Sequence, residues 1–269
     1  LSFFGLKDAI VTPIGQNNFI AFFFEFGIVY ELLTRRRGWV AFGLLQLMAL
    51  LLTLSRGALV ALAITLTVGL MVAVVTYGQR KAAAVLLGAL AIAGLVLLAT
   101  PLGQFIVQAF DIIGRSTTAR MSLWSAALAA VSHAPLTGIG FGAFGSIGGM
   151  RDAHSTFFGL LSETGLIGLT LFSLAAGAII ATSLVRAWDG CIGEWARREN
   201  MALGLALFGV LTHSMIEPFF LGRSAIWTAY VLSWMVAVRW SAERQAKTPD
   251  VDLPSRGRSG IAPPMSSAS

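Results

Sequence analysis

Apolar runs long enough to cross a lipid bilayer recur through this chain, and no other feature restricts its fold as much. A hydrocarbon layer of about 30 Å asks for about 20 apolar residues from a spanning helix. Here such runs are interrupted mainly by short clusters of arginine, lysine and glycine. Within the runs, apolar and polar residues do not alternate as they would in the strands of a membrane barrel. With 56% hydrophobic and 12% charged residues, against about 25% charged in an ordinary soluble domain, the expected fold is an all-α integral membrane protein.

The first run, Phe19 to Leu33, stops at Arg35, Arg36 and Arg37. The second extends from Trp39 to Tyr77. At about 1.5 Å per residue it would make a helix nearly twice the thickness of the membrane. It is therefore expected to turn back at Thr53-Leu54-Ser55-Arg56-Gly57, giving spans of Trp39 to Leu54 and Ala58 to Tyr77. Further spans are expected at Ala82 to Ala99, Ser155 to Val185, Met201 to Ile216 and Ser224 to Val238, about seven in all. Arg186 to Asn200 reads as a charged connection. Residues 1–238 then form a polytopic membrane domain, and residues 239–269, basic and later rich in Pro, Ser and Gly, a disordered cytoplasmic tail.

Arg35 to Arg37, Arg80 with Lys81, Arg197 with Arg198, and Arg239 with Arg244 and Lys247 all fall on one side of such a bundle. That side is cytoplasmic by the positive-inside rule. The net charge of +6 is thus used for topology, and no nucleic-acid partner is expected. The opposite, outer side receives the Ser55-Arg56 hairpin, residues 217–223 and the one long polar segment, residues 100–154, in which short helices are expected. Cys191 is the sole cysteine. It excludes an internal disulfide framework and a cysteine-ligated metal. No carboxylate or histidine spacing suggests a metal site, and no cofactor is expected.

The candidate chemistry gathers on the outer side. Arg56 lies between two apolar runs, where arginine either snorkels to the interface or marks a site. Ser55 is placed to cap the following helix, which would set the Arg56 guanidinium beside a positive dipole end that a bound anion would relieve. Arg120 repeats the arrangement: with Thr117 or Thr118 as cap, it falls in the first turn of a helix running to about Val131, with Trp124 one turn along on the same face. The alternative is a helix lying on the membrane surface with Trp124 as its anchor. The glycine-rich stretch from Pro135 to Gly145 is either a phosphate cradle or a flexible loop. His154, at the outer mouth of the fifth span and beside Asp152 and Ser155, is either a general base or an interfacial residue bonded to a loop carbonyl. His213 and Glu217, four apart, share a helix face and line either a cavity or a structural pair.

Taken together, Ser55-Arg56-Gly57-Ala58, Thr118-Ala119-Arg120 followed by Trp124, Pro135-Leu-Thr-Gly-Ile-Gly-Phe-Gly, and Asp152-Ala-His154-Ser-Thr-Phe-Phe-Gly-Leu-Leu-Ser-Glu-Thr-Gly165 resemble the O-antigen ligase superfamily of bacterial inner-membrane glycosyltransferases. The resemblance covers residues 18–238 and includes the long periplasmic loop. It implies a glycan donor carried on undecaprenyl diphosphate and, as acceptor, a lipid A core sugar for a ligase or a growing polysaccharide for a polymerase. It also implies that Arg56 and Arg120 hold the diphosphate and that His154 activates the acceptor hydroxyl; from the residues themselves, Trp124, Asp152, His213 and Glu217 are candidates for the surrounding substrate cavity. Asn17 and Asn18 fall where the family has asparagine. Members carry more spans than the about seven counted here, so amino-terminal helices are expected beyond this chain. Fixed guanidinium groups would stabilise a departing diphosphate; with no metal-ligand spacing in the sequence the transfer is expected to be metal-independent, and attack opposite the diphosphate to invert the anomeric carbon. A lipid-linked sugar transporter or flippase, using Arg56, His213 and Glu217 as a path, is the competing class.

Overall fold

The computed structural model describes residues 15–77, 115–148 and 152–220, together with the strand at residues 11–12 and a few isolated positions. Two-residue strands, β1 (Val11–Thr12) and β2 (Gly15–Gln16), pair antiparallel ahead of the first helix. Seven helices follow among the described residues: α1 (Asn17–Thr34), α2 (Trp39–Leu52), α3 (Arg56–Tyr77), α4 (Arg115–His133), α5 (Phe144–Gly148), α6 (Thr156–Ala187) and α7 (Glu194–Ser214). The spans expected at residues 82–99 and 224–238, and the tail, lie outside the described residues.

Local chemistry explains the breaks. Between α1 and α2 the arginine cluster ends in Gly38, whose φ of 84° is one that glycine adopts freely. The expected turn in the second apolar run is present at Thr53-Leu54-Ser55. Thr53 Oγ1 donates to the Leu50 carbonyl (2.6 Å) and accepts from the Ser55 N–H (3.2 Å), while Leu54 takes a left-handed φ of 55°. A hydroxyl thus takes up backbone groups that the helix end leaves free.

Helices α1 and α7 form the central pair, with α3 packed on both, α2 against α1, α6 against α7 and α4 against α6. Most of α7 from Glu199 to Ser214 is buried. Gly209 lets it approach closely, since a Cβ there would stand 2.6 Å from Thr65 Oγ1 and 3.0 Å from Glu25 Oε1. The charged connection expected to run to Asn200 ends earlier than its composition suggests. From Glu194 the chain is helical, and Glu199 is buried because Tyr30 Oη (3.2 Å) and Arg36 Nη2 (3.1 Å) both donate to its Oε1.

By length and composition α6 is the one described helix able to cross a membrane, with α2 and the first part of α3 as shorter apolar helices. Outward-facing side chains such as Leu45, Leu52, Leu171 and Leu174 are well exposed. Hydrocarbon is the surrounding in which such a surface has no cost.

Helix α6 is broken at Gly165, where φ 66° and ψ −165° lie in a region open in practice to glycine alone. The break is filled by the glycine-rich stretch. Leu166 N–H and Ile167 N–H, cut off from their helical acceptors, donate to the carbonyls of Pro135 (2.9 Å) and Leu136 (3.2 Å). The orphaned carbonyls of Ser162 and Glu163 accept from Ile139 N–H (2.9 Å) and Gly140 N–H (3.0 Å). Two lost helical bonds are replaced by four across the break, as an apolar setting requires of backbone polar groups. The stretch is therefore neither a phosphate cradle nor a flexible loop. Its glycines make room for backbone: a Cβ on Gly138 would stand 2.4 Å from the Glu163 carbonyl carbon, and one on Gly165 2.3 Å from Leu136 O.

Candidate functional site

The carboxylate of Glu217 is the point on which the polar residues of one end of the bundle converge. Helix α7 stops at Ser214 and closes with the turns Met215 N–H to Thr212 O and Ile216 N–H to His213 O. Pro218 and Phe219 follow as buried anchors. Glu217 therefore leaves the helix, and the i, i+4 pairing expected with His213 does not form. Its Oε1 accepts from Asn18 Nδ2 at 2.6 Å and from Arg120 Nη2 at 2.8 Å, and its Oε2 lies 3.9 Å from His154 Nδ1. Only 5% of Glu217 is exposed. A buried carboxylate between two donors, one of them charged, is held in a fixed place.

His154 sits just before α6. Ser155, extended at φ −164°, caps that helix by accepting from Phe158 N–H at 3.3 Å. His154 itself has φ 46°, and its N–H donates to Asp152 Oδ1 at 2.8 Å. A left-handed imidazole residue carries strain that its neighbours must sustain; here the buried Ala153 and Ser155 on either side hold it. The ring is half exposed, with Nδ1 3.6 Å from Asp152 Oδ1. Its pKa is raised above the usual imidazole value, first by the Glu217 carboxylate and also by Asp152, against the opposing effects of burial and Arg120. At 3.9 Å the Glu217 contact is longer than a formed hydrogen bond, so charge attraction carries it.

Arg120 reaches Glu217 from α4. That helix begins at Arg115, earlier than expected, so Thr117 and Thr118 are helical residues and Arg120 lies in the second turn. The guanidinium is thus a turn away from the positive dipole end, and the Glu217 carboxylate supplies its opposite charge. Trp124, one turn on, stacks on Phe158 of α6 with centroids 5.1 Å apart, and Leu123 and Ala127 pack with Phe144 and Ala153. The stack and the filled break in α6 tie the helix of Arg120 to the helix that His154 precedes. Thr156 adds a third tie: its hydroxyl donates to the Glu217 carbonyl (3.2 Å) and accepts from Phe220 N–H (3.3 Å).

Arg56 opens α3, with Ser55 buried before it. The adjoining Gly57 packs on the end of α7, where a Cβ would stand 2.6 Å from Ile216 Cδ1 and 3.0 Å from His213 Nε2. The hairpin thus reaches the residue preceding Glu217. His213 lies in the core, with Nδ1 3.1 Å from Glu25 Oε2. Glu25 was not among the residues selected from the sequence, although a carboxylate inside an apolar run is itself the signal that finds it. Of the expected residues the structure joins Arg120, His154, Asp152 and Glu217 with Asn18, one of the two asparagines that the resemblance singled out, sets Trp124 beside them through Phe158, and turns His213 inward.

Comparison with curated proteins gives no match. The family model described as O-antigen ligase matches residues 41–173, the stretch that holds Arg56, Arg120 and His154. Proteins of this family are membrane-associated ligases or polymerases of the glycosyltransferase kind. On that match, and with the motifs that carry it, residues 41–173 of the chain are those of an O-antigen ligase family domain.

Proposed function

We propose that this protein transfers a glycan from undecaprenyl diphosphate to a hydroxyl of a lipid A core sugar at the periplasmic face of the bacterial inner membrane. The observation that carries the reading is the meeting of a guanidinium and an imidazole on one buried carboxylate, Glu217, contributed by segments far apart in the chain. In the transfer, the acceptor oxygen attacks the anomeric carbon while the bond from that carbon to the diphosphate breaks. Arg120, with Arg56, receives the charge that collects on the departing diphosphate. His154 takes the hydroxyl proton, and attack opposite the leaving group inverts the anomeric centre. Glu217 holds Arg120 extended before the donor arrives and keeps His154 basic. Polymerisation is the same chemistry with a growing polysaccharide as acceptor.

Reconstitution of the full-length protein with a lipid-linked donor and a lipid A core acceptor tests the reading. The product is expected to be core-linked glycan with inverted anomeric configuration by NMR. Retention of configuration would rule the mechanism out. Carrier-linked polymer that lengthens instead would assign the polymerase.

Two features fit the competing transport class, the broken helix α6 and the buried Glu25–His213 pair. A transporter uses freed helix ends to line a path. At Gly165, however, the freed N–H and carbonyl groups are taken by residues 135–140.

The pH dependence has a definite sign. Protonated His154 cannot accept a proton, so transfer is expected to rise with pH through the raised pKa of this residue, with its midpoint above the ordinary imidazole value of about 6.5. Glu217→Gln removes the first cause of the elevation. The kcat–pH midpoint should then move down, even though the plateau rate falls. An unmoved midpoint would detach Glu217 from the base.

A further inference from the structure

Between α1 and α7 lies an acid–base pair that the transfer does not use. Glu25 and His213 are both 0% exposed, with Oε2 and Nδ1 3.1 Å apart. Two such groups in an apolar helix pair are costly to desolvate, and residues of this kind generally mark a function. The surroundings of the imidazole indicate which. Its face stacks on Phe22, centroids 4.0 Å apart and planes 22° from parallel, and Phe22 stacks on Phe219, also at 4.0 Å. Phe219 N–H donates to the Glu217 carbonyl at 3.0 Å. Phe22 and Phe219 are each 1% exposed, so the stack has no room to slide. On its other side His213 Nε2 lies against Gly57, next to Arg56. Asn18, Phe22 and Glu25 stand on one face of α1, a turn apart.

We propose that Glu25 and His213 are a positioning pair. Their contact fixes the imidazole plane, the Phe22–Phe219 stack transmits that plane to the Glu217 turn, and the Glu217 carboxylate is thereby set among Asn18, Arg120 and His154. Neither residue touches reacting atoms. Its consequence for turnover rests on the function proposed above, whereas its consequence for His154 does not.

The test uses the full-length protein in lipid nanodiscs with Glu25→Ala, Glu25→Gln and Phe219→Leu. The pH dependence of His154 modification by diethyl pyrocarbonate, followed peptide by peptide with mass spectrometry, needs no substrate. Among the described residues the charged groups facing His154 are Asp152, Arg120 and Glu217, and of these Glu217 is the one that the stack reaches. E25A and F219L are expected to lower the His154 midpoint toward about 6.5 while His133 behaves as in the parent protein. E25Q, whose amide can still bond Nδ1, is expected to restore the parent midpoint. Turnover should follow, falling by about 10- to 100-fold in E25A and F219L, with the KM for donor little changed.

An unchanged His154 midpoint in the folded E25A or F219L protein would overturn the proposal, whatever happens to transfer. So would E25Q behaving like E25A, since that assigns the role to charge. If E25A does not fold, F219L, which keeps a buried hydrocarbon side chain, decides alone. A parent protein that transfers no glycan, but whose His154 midpoint falls in E25A, would refute the function and leave the positioning pair standing.

Discussion

Glycan transfer by the Arg120→Ala protein is expected to be about 10²- to 10³-fold slower than by the parent. The Arg120 guanidinium is held in the site by a hydrogen bond of 2.8 Å to Glu217. A donor that stabilises the departing diphosphate acts on the barrier, so the loss should appear in kcat. Lysine at the same position restores the charge without the planar fork, and Arg120→Lys should fall between the two. Removing Arg120 also takes a charged donor from the buried Glu217 carboxylate, which by itself disturbs the site. The double variant R120A/E217Q separates the causes. If the loss comes from an uncompensated carboxylate, R120A/E217Q is no slower than E217Q alone; if Arg120 serves the diphosphate, it is slower than E217Q by a similar factor. Parent-like transfer by R120A would remove that arginine from the mechanism.

Gly165→Ala is expected to destabilise the fold by at least about 3 kcal/mol. The backbone at this position, φ 66° and ψ −165°, excludes a Cβ on its own account, and the added methyl would overlap Leu136 O at 2.3 Å. Expelling residues 135–140 offers no escape. It would strand the N–H groups of Leu166 and Ile167 and the carbonyls of Ser162 and Glu163 in an apolar setting, each at a cost of several kcal/mol. Gly138→Ala meets the same obstacle from the other side, 2.4 Å from the Glu163 carbonyl carbon. Gly177 in the same helix is the control. Nothing lies within 4 Å of its virtual Cβ, so alanine there should be neutral or stabilise by up to about 1 kcal/mol. Thermal unfolding in detergent, with the yield of folded protein from membranes, measures all three. A G165A protein that melts with the parent would mean that the break in α6 is not held by the glycine-rich stretch.

Several residues show where reading the chain succeeded. The turn at Thr53-Leu54-Ser55 was legible because two hydroxyls, an arginine and a glycine interrupt a run too long for one helix. His154, Arg120 and Glu217 were selected because charged residues among apolar segments are few, and each must be accounted for. Arg120 nevertheless lies in the second turn and not the expected first, since threonine is compatible with a helix interior as well as with a cap and the helix begins at Arg115.

Hydropathy and spacing are local properties of the chain, and they were enough for the helical class, the position of the breaks and the motifs that carry the family. Partnership is not local. Tyr30 with Glu199, Glu25 with His213 and Asn18 with Glu217 are pairs between residues 169, 188 and 199 positions apart. They exist because α1 and α7 run antiparallel in contact, which sets these side chains opposite one another across the seam. The same holds for the glycine-rich stretch, whose composition is that of a mobile loop. Its backbone is fixed only because a helix elsewhere in the chain is broken where those N–H and carbonyl groups can replace the bonds it lost.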